Sequence, residues 1–257
     1  MVLQMIDNIL ISIITPAFNA QKFLEKIYLC LLNQTYKNFE WIVIDDCSLD
    51  DTFNILKKFD SQNLINIKIL KNEKNLGAAL SRNRGLDIAQ GDFLCFLDAD
   101  DYWEPEKISI QLDFMCENRI PISYMDYVHV DEVGNFIKNI IPRNECSRKN
   151  ILRANCIGNL TCMVSRELVG ETRFIRHGHE DYIFWLEILS KVNIAYKVNC
   201  RFLLCKYTIS NHSLSGSKIK TAKWQWSIYR NILKINFFYS SYLFCMYAIH
   251  GLIKHKK

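Results

Sequence analysis

A pair of carboxylates directly follows one of the most apolar segments of the chain. Asp98 and Asp100 flank Ala99 after Phe93–Leu97. Because alternate residues of an extended chain point the same way, the two carboxylates should converge and repel each other unless a proton or cation intervenes. A hard divalent ion with oxygen ligands, Mg²⁺ or Mn²⁺, suits such a pair and leaves coordination sites for phosphates. The position after a predicted buried strand favours this metal site over a solvated acidic turn.

Two further polar residues are candidates for binding a nucleotide. Asp46 follows the apolar segment Trp41–Ile44, where it either accepts hydrogen bonds from a base or ribose or caps a helix that begins near Thr52. Arg82, in an early turn of another predicted helix, either reaches a diphosphate or lies on the surface, as most arginines do. Neither residue alone decides between these interpretations.

The segment 177–181 combines two histidines, a glycine and two acids before an apolar stretch. Its His177-Gly178-His179 part lacks the spacing of a zincin, and no other ligand cluster accompanies it, so zinc is disfavoured. Glu180 and Asp181 either stabilise the positive end of a helix dipole or supply a catalytic base. The catalytic base is the more specific hypothesis.

The elements that must position these residues alternate between short β-branched runs and longer amphipathic stretches. This pattern predicts βαβ units and a largely parallel sheet. The predicted strands are Leu10–Thr15, Glu40–Ile44, Ile67–Leu70 and Phe93–Leu97, and the intervening helices begin near Gln21, Thr52 and Ala78. Because ligands of open α/β sheets bind outside the carboxyl ends of the strands, we expect the acidic groups to gather at one edge.

The second half predicts a mixed sheet that ends in helices. A helix should begin at Glu104-Pro105-Glu106, and Ile122–Val130 and Phe136–Ile140 should form a hairpin. The remaining predictions are a strand at Leu160–Val164, a helix at Glu180–Lys191, strands at Ile194–Lys197 and Phe202–Tyr207, and one or two helices within Trp224–Lys257. The chain should therefore form one main domain, residues 1–220, with a helical appendage, residues 221–257.

Composition narrows the class of protein. The chain has 257 residues, of which 49% are hydrophobic and 23% charged, as expected of one folded α/β domain with a small appendage. Its net charge of +5 is spread without a basic stripe, so nucleic acid is not expected as a partner. The ten cysteines are scattered and form no Cys-x-x-Cys pair, which predicts reduced, mostly buried thiols in a cytosolic protein. The first ten residues lack the features of a signal peptide.

The carboxyl-terminal segment Ile235–Ile253 is apolar and aromatic, but polar residues interrupt it, which makes it marginal for crossing a bilayer. One interpretation is an interfacial helix whose basic tail, Lys254–Lys257, contacts anionic lipid. The other is a helix packed on the main domain. The sequence favours neither.

Several short segments, in this order, resemble glycosyltransferase family 2 over nearly the whole chain. The segments are Ile13–Asn19, Gln34–Tyr36, Val43–Ser48, Asn75–Gly77, Ala79–Gly85, Phe96–Asp101 and Glu180–Asp181. The resemblance implies the Rossmann-like GT-A fold, an α/β architecture with a mixed, mostly parallel sheet flanked by helices. It also implies an inverting enzyme that uses a nucleotide-diphosphate sugar.

The resemblance assigns expected roles on the donor side of the site. Pro16 and Phe18 would line the nucleotide pocket, and Asp46 would contact the base. Arg82 would lie near the donor phosphates, and Asp98 would touch the ribose or sugar. The family usually has tyrosine where Phe18 stands, so only ring packing is expected there.

The resemblance also implies the metal ligand and the catalytic base. Asp100 would coordinate Mn²⁺ or Mg²⁺, and Asp181 would be the general base, supported by Glu180. His212 and Lys218 would close over the pyrophosphate, in a segment similar to the post-catalytic loop of bacterial polysaccharide enzymes.

The resemblance implies a setting in lipopolysaccharide, capsule or teichuronic-type glycan assembly. The acceptor would be a growing glycan or a lipid-linked glycan, handled in the cytoplasm or at the cytoplasmic face of the inner membrane. A sugar nucleotidyltransferase is the nearest alternative, but Pro16–Ala20 lacks its glycine-rich basic loop. A non-catalytic glycan- or protein-binding module would not explain why the acidic strand ends and the Glu180-Asp181 pair occur together.

Overall fold

The computed structural model of the chain describes residues 8–209 and 218–256. The strands are β1 (Ile11–Ala17), β2 (Phe39–Asp45), β3 (Asn66–Lys71), β4 (Phe93–Phe96), β5 (Tyr102–Trp103), β6 (Ile122–Tyr124), β7 (Tyr127–Val130), β8 (Phe136–Ile140), β9 (Glu145–Ser147), β10 (Met163–Ser165), β11 (Ile194–Lys197) and β12 (Cys205–Thr208). The helices are α1 (Leu24–Leu32), α2 (Thr52–Gln62), α3 (Ala78–Ile88), α4 (Lys107–Asn118), α5 (Arg148–Arg153), α6 (Arg166–Val169), α7 (Glu180–Lys191), α8 (Lys218–Ser227) and α9 (Phe237–Lys256). A 3₁₀ turn covers Asn159–Thr161, and a π-helical turn covers Ile228–Ile232.

The strands form a main sheet in the order β3-β2-β1-β4-β10-β6-β11-β9 and a small sheet in the order β5-β12-β7-β8. The first four strands are parallel, whereas β10 is antiparallel to both β4 and β6, so the predicted mixed sheet is confirmed. The chain runs outward from β1 to β3 and then returns to β4 on the other side of β1. Ligands bind at the carboxyl ends of strands where the strand order reverses in this way. A ligand is therefore expected at the carboxyl ends of β1 and β4.

The parallel strands at the centre are covered on both faces. Every residue of β2 is buried, and β1 is buried except at Pro16, which explains why both read as nearly continuous apolar runs. The buried carboxylate of Glu40 is compensated, because it accepts a hydrogen bond from Ser12 Oγ at 2.6 Å and pairs with Lys68 Nζ at 2.5 Å. Burial would raise the pKa of Glu40, but these contacts lower it overall.

Three predicted strand boundaries are wrong. The segment predicted as one strand, Ile122–Val130, is divided between β6 in the main sheet and β7 in the small sheet. The chain leaves the main sheet at Asp126, whose Oδ1 pairs with Lys197 Nζ at 3.1 Å. The predicted strand Leu160–Val164 begins instead as the 3₁₀ turn, and Phe202–Tyr207 starts late because Phe202 is largely exposed ahead of β12.

The cysteine prediction is also wrong in part. Cys146 in β9 and Cys156, which follows α5, form a disulfide. Of the eight free cysteines, Cys95, Cys162 and Cys205 are buried, and the others are half-buried or exposed. The expectation of reduced thiols therefore holds for these eight cysteines, but only three of them are buried.

The carboxyl-terminal helices pack on the main body. Ile228, Tyr229 and Leu243 are fully buried, and Tyr229 Oη donates a hydrogen bond to the carbonyl of Leu152 at 2.6 Å. On the outer side, Phe238 is 85% exposed. Within residues 8–209 and 218–256, no helix has the length and apolar character needed to cross a membrane.

Gly91, just before β4, lies close against the backbone of β1. A Cβ added to Gly91 would lie 2.5 Å from the amide nitrogen of Ser12, whereas one added to Gly251 in α9 would meet no atom within 4 Å. We expect Gly91→Ala to lower the free energy of unfolding by about 2 kcal/mol or more, because the backbone of β1 must move. Gly251→Ala, the control, should change it by no more than about 1 kcal/mol. Urea denaturation followed by circular dichroism measures both, and an unchanged midpoint for Gly91→Ala would contradict the packing.

Candidate active site

Hydrogen bonds connect the loops that follow β1 and β2, at the carboxyl ends of these strands. The amide of Asn19 donates a hydrogen bond to Ser48 Oγ at 2.9 Å, and the amide of Leu49 donates to Asn19 Oδ1 at the same distance. Pro16 is half-buried at the end of β1, and the next apolar ring, Phe18, is 48% exposed. The Phe18 ring is therefore accessible at this end of the sheet, and its contact with a nucleotide stays a prediction.

Asp46 organises the loop that leads into α3. Its carboxylate, in a residue only 3% exposed, accepts hydrogen bonds from Asn72 Nδ2 at 2.6 Å, from the amide of Leu76 at 2.8 Å and from the amide of Gly77 at 2.7 Å. Gly77 has a φ of 84°, which glycine adopts without strain. Sequence reasoning missed this internal role, and contact with a base stays a prediction for Asp46.

Arg82 bridges two carboxylates from distant parts of the chain. Its Nη2 lies 2.6 Å from Asp98 Oδ1, and its Nη1 lies 2.6 Å from Glu180 Oε1. The guanidinium also lies over the ring of Phe174, 5.4 Å from the centroid. Burial alone would lower the pKa of Arg82, but the two carboxylates raise it, so the charge is permanent. Sequence reasoning allowed for a surface arginine, yet Arg82 is only 5% exposed.

The acidic turn after β4 is attached to the small sheet. The amide of Thr208 donates a hydrogen bond to Asp101 Oδ1 at 2.8 Å, and Thr208 Oγ1 donates to the carbonyl of Asp100 at 2.5 Å. Burial and the charge of Asp98 raise the pKa of Asp100 to about 6. Burial, followed by the charges of Asp100 and Asp98, raises the pKa of Asp101 well above its ordinary value.

The chemistry of this turn suits a divalent cation. Asp98 and Asp100 could supply hard oxygen ligands, and a cation would favour the ionised form of Asp100 against the burial and the charge of Asp98 that raise its pKa. Within the part of the chain that the structure describes, no group of three or more His, Cys, Asp or Glu side chains could hold a metal ion. The protein would therefore supply one or two ligands and leave the others to phosphates and water, as is usual for Mg²⁺.

Glu180 and Asp181 begin helix α7, whose predicted boundaries are confirmed. Glu180 is paired with Arg82, and burial raises its pKa despite that charge. The half-buried carboxylate of Asp181, in contrast, has no hydrogen-bond or ion-pair partner among the described residues. Burial and then the negative charge of Asp181 raise the pKa of Tyr127, so the two side chains interact electrostatically. Asp181 is thus the member of the pair without such a contact among these residues, and its role as a base stays a prediction.

The glycine of the segment 177–181 admits an indole ring from helix α8. A Cβ at Gly178 would lie 1.8 Å from Trp224 Cδ2, and the same ring contacts His179 edge-on, with centroids 5.4 Å apart. This segment therefore serves as a packing surface for α8. Of the two residues expected to close over a pyrophosphate, Lys218 begins α8 and His212 lies outside the described residues. Their roles stay predictions.

The model of glycosyl transferase family 2 matches residues 12–169, more than half of the chain, and this range contains the ends of β1, β2 and β4. The chain belongs to glycosyltransferase family 2. The predicted family and enzyme class are thereby confirmed.

Relatives and solved structures agree with this assignment. The chain is 37% identical over 251 residues to the Escherichia coli UDP-Glc:alpha-D-GlcNAc-diphosphoundecaprenol beta-1,3-glucosyltransferase WfgD, covering 97% of this chain and 96% of WfgD. Its fold resembles S. aureus TarS 1-349 in complex with UDP-GlcNAc, with a TM-score of 0.72, 23% identity, and coverage of 86% of this chain and 65% of that one. It also resembles the Pyrobaculum calidifontis mannosyltransferase PcManGT in complex with GDP-Man and Mn²⁺, with a TM-score of 0.64, 15% identity, and coverage of 88% and 64%. These structures confirm the GT-A fold.

Arg82 should stabilise the fold of this glycosyltransferase more than an ordinary surface arginine does. We expect Arg82→Met to lower the free energy of unfolding by about 2 kcal/mol or more, because Asp98 and Glu180 lose their shared counter-charge. Arg82→Lys should recover only part of this stability, since one ammonium cannot form the same two-armed contact. Urea denaturation measures both variants.

The matched control is Arg173→Met, which removes the more exposed pair with Asp87, 2.9 Å long. That pair should contribute less than about 1 kcal/mol. Equal losses for Arg82→Met and Arg173→Met would contradict the importance of the buried bridge.

Proposed function

We propose that this family 2 glycosyltransferase moves a sugar from a nucleotide-diphosphate sugar to a hydroxyl of a lipid-linked glycan, with inversion at the anomeric carbon. The observation that carries the proposal is the contrast within one pair of acids. Glu180 is bound to Arg82, whereas Asp181 has no partner among the described residues. In such a pair, Glu180 would maintain the structure of the site, and the carboxylate of Asp181 could accept a proton as a general base.

In the proposed reaction, the acceptor oxygen attacks the anomeric carbon from the face opposite the diphosphate. A carbon–oxygen bond forms there as the bond to the diphosphate oxygen breaks, and the acceptor proton passes to Asp181. Pro16 and Phe18 would pack against the nucleotide, and Asp46 would hold the adjoining loop in place. A divalent ion bound by Asp100 and Asp98, Mn²⁺ or Mg²⁺, would offset the charge of the departing diphosphate.

The substrate assignment draws on the relative WfgD. Its name gives UDP-glucose as the donor and GlcNAc-diphosphoundecaprenol as the acceptor. Because 97% of this chain aligns with that protein at 37% identity, we extend a donor and acceptor of this kind to the present chain. The setting would be bacterial surface polysaccharide assembly at the cytoplasmic face of the inner membrane.

The direct test is incubation of the full chain with a panel of nucleotide sugars, Mn²⁺ and an acceptor analogue, N-acetylglucosaminyl diphosphate carrying a short alkyl chain. Released nucleoside diphosphate identifies the donor, and mass spectrometry of the analogue identifies transfer. Proton NMR of the product distinguishes inversion from retention. The proposal fails if no nucleotide sugar in the panel is consumed.

Asp181→Asn preserves side-chain shape but removes basicity. We expect it to lower the transfer rate at least about a hundredfold, because a positioned base contributes on the order of 10² to 10⁴ in rate. Donor affinity, measured by calorimetry, should stay within a few-fold. Asp100→Asn should show the reverse pattern, with loss of the metal-dependent part of donor binding. An Asp181→Asn protein that transfers at the wild-type rate would exclude Asp181 as the base.

The exposed side of the carboxyl-terminal helices supports a contact with anionic lipid. Phe237 and Phe238 are 58% and 85% exposed at the start of α9, and Ile219 in α8 is 73% exposed. Lys220 and Lys223 are exposed on the same helix as Ile219. Exposed aromatic rings beside basic side chains are typical of a helix that lies at a membrane interface.

Replacing both Phe237 and Phe238 with serine should reduce flotation of the protein with liposomes that contain anionic lipid, because apolar area available for burial is lost. Deleting the whole helix is less informative, since Leu243 belongs to the core. Val133→Ser is the matched control, because Val133 is 85% exposed but lies in the hairpin between β7 and β8. If the wild-type protein does not float, the membrane contact is excluded.

A further inference from the structure

One face of the small sheet carries three aromatic side chains, Tyr127, His129 and Tyr207, here called the aromatic face. Tyr127 and His129 are alternate residues of β7, and Tyr207 of β12 lies opposite His129 in the parallel register. Their ring centroids are 5.4 Å apart for Tyr127 and His129, 5.2 Å for His129 and Tyr207, and 6.4 Å for Tyr127 and Tyr207. The three rings therefore form one continuous surface.

The opposite face of the same two strands has a different character. Val128, Val130 and Lys206, which alternate with the aromatic residues, line a separate cavity of about 540 Å³ together with Phe136 of β8. The stacked cluster of Tyr127, His129 and Tyr207 thus lies on one side of the sheet, whereas Phe136 is on the other. This separation provides a control surface on the same element.

The aromatic face lies beside the groups to which the reaction has been assigned. Thr208, the neighbour of Tyr207, donates the two hydrogen bonds that attach β12 to the acidic turn. At the other end, the charge of Asp181 contributes to the raised pKa of Tyr127, after burial. Gly158 packs against the Tyr127 ring, because a Cβ at Gly158 would be 3.2 Å from Tyr127 Cε1. The face therefore adjoins the acidic turn at Tyr207 and interacts electrostatically with the proposed base at Tyr127.

We propose that the aromatic face is the subsite for the acceptor sugar, and that a pyranose ring stacks on Tyr127 and Tyr207. This inference rests on the proposed function, because a hydroxyl that Asp181 deprotonates must belong to a ring beside Tyr127. The C–H groups on one face of a pyranose are apolar and weakly positive, which complements the negative face of an aromatic ring. All three side chains are half-buried, so the rings are ordered by packing yet retain accessible surface. The subsite would hold the acceptor hydroxyl next to Asp181.

The test uses the same acceptor analogue, N-acetylglucosaminyl diphosphate with a short alkyl chain, and measures its binding to the full chain by saturation-transfer NMR and by fluorescence titration. Tyr127→Leu and Tyr207→Leu should each weaken binding roughly fivefold or more, because an aromatic contact is lost while apolar volume is kept. Tyr127→Phe should stay within about twofold, since it keeps the ring. The Michaelis constant for the analogue in the transfer assay should change in the same order.

Phe136→Leu is the matched control, because Phe136 is a 66% exposed ring of the same sheet that lines the cavity on the other face. It should bind the analogue as the wild type does. The subsite is overturned if the leucine variants at 127 and 207 bind as tightly as the wild type, or if the wild type does not bind the analogue. A wild type that binds the analogue through these rings but consumes no nucleotide sugar would contradict the transfer reaction and still support the subsite.

Discussion

The buried guanidinium of Arg82 connects two parts of the site that are far apart in sequence. It pairs with Asp98 at the end of β4 and with Glu180 at the start of α7, and Glu180 is 98 residues away in sequence. A guanidinium keeps its charge when buried and can contact two carboxylates at once, which an ammonium cannot do as well. The position of the acidic turn relative to helix α7, and hence to Asp181, therefore depends on this bridge.

A second attachment fixes the acidic turn from the opposite side. The backbone and hydroxyl of Thr208 bind Asp101 and the carbonyl of Asp100, so the small sheet and the turn behave as one unit. The sheet that anchors the turn also carries the aromatic face. One set of contacts thus positions the proposed metal-binding carboxylates and the proposed acceptor surface together.

The central strands and the start of α7 could be predicted because their signals are local. A parallel strand buried on both faces reads as an apolar run, and Glu180 begins α7 at its predicted boundary. The division at Asp126 could not be predicted, because the pairing with Lys197 that accompanies it involves a residue 71 positions away. Likewise, nothing near Arg82 in sequence indicates its burial. The division at Asp126 and the burial of Arg82 depend on pairings between side chains that are distant in sequence. Such pairings cannot be identified from a single sequence.

The charge balance of the site gives an independent reason to expect a cation with the donor. Three acids, Asp98, Glu180 and Asp181, interact with the guanidinium of Arg82, and a fourth, Asp100, interacts with Asp98. Burial, followed by the charges of Asp100 and Asp98, raises the pKa of the adjacent Asp101 as well. A nucleotide-diphosphate sugar would bring further negative charge into this partly buried region, where like charges repel more strongly than in water. A divalent cation between Asp100 and the diphosphate would turn that repulsion into attraction, so metal binding and donor binding should be coupled.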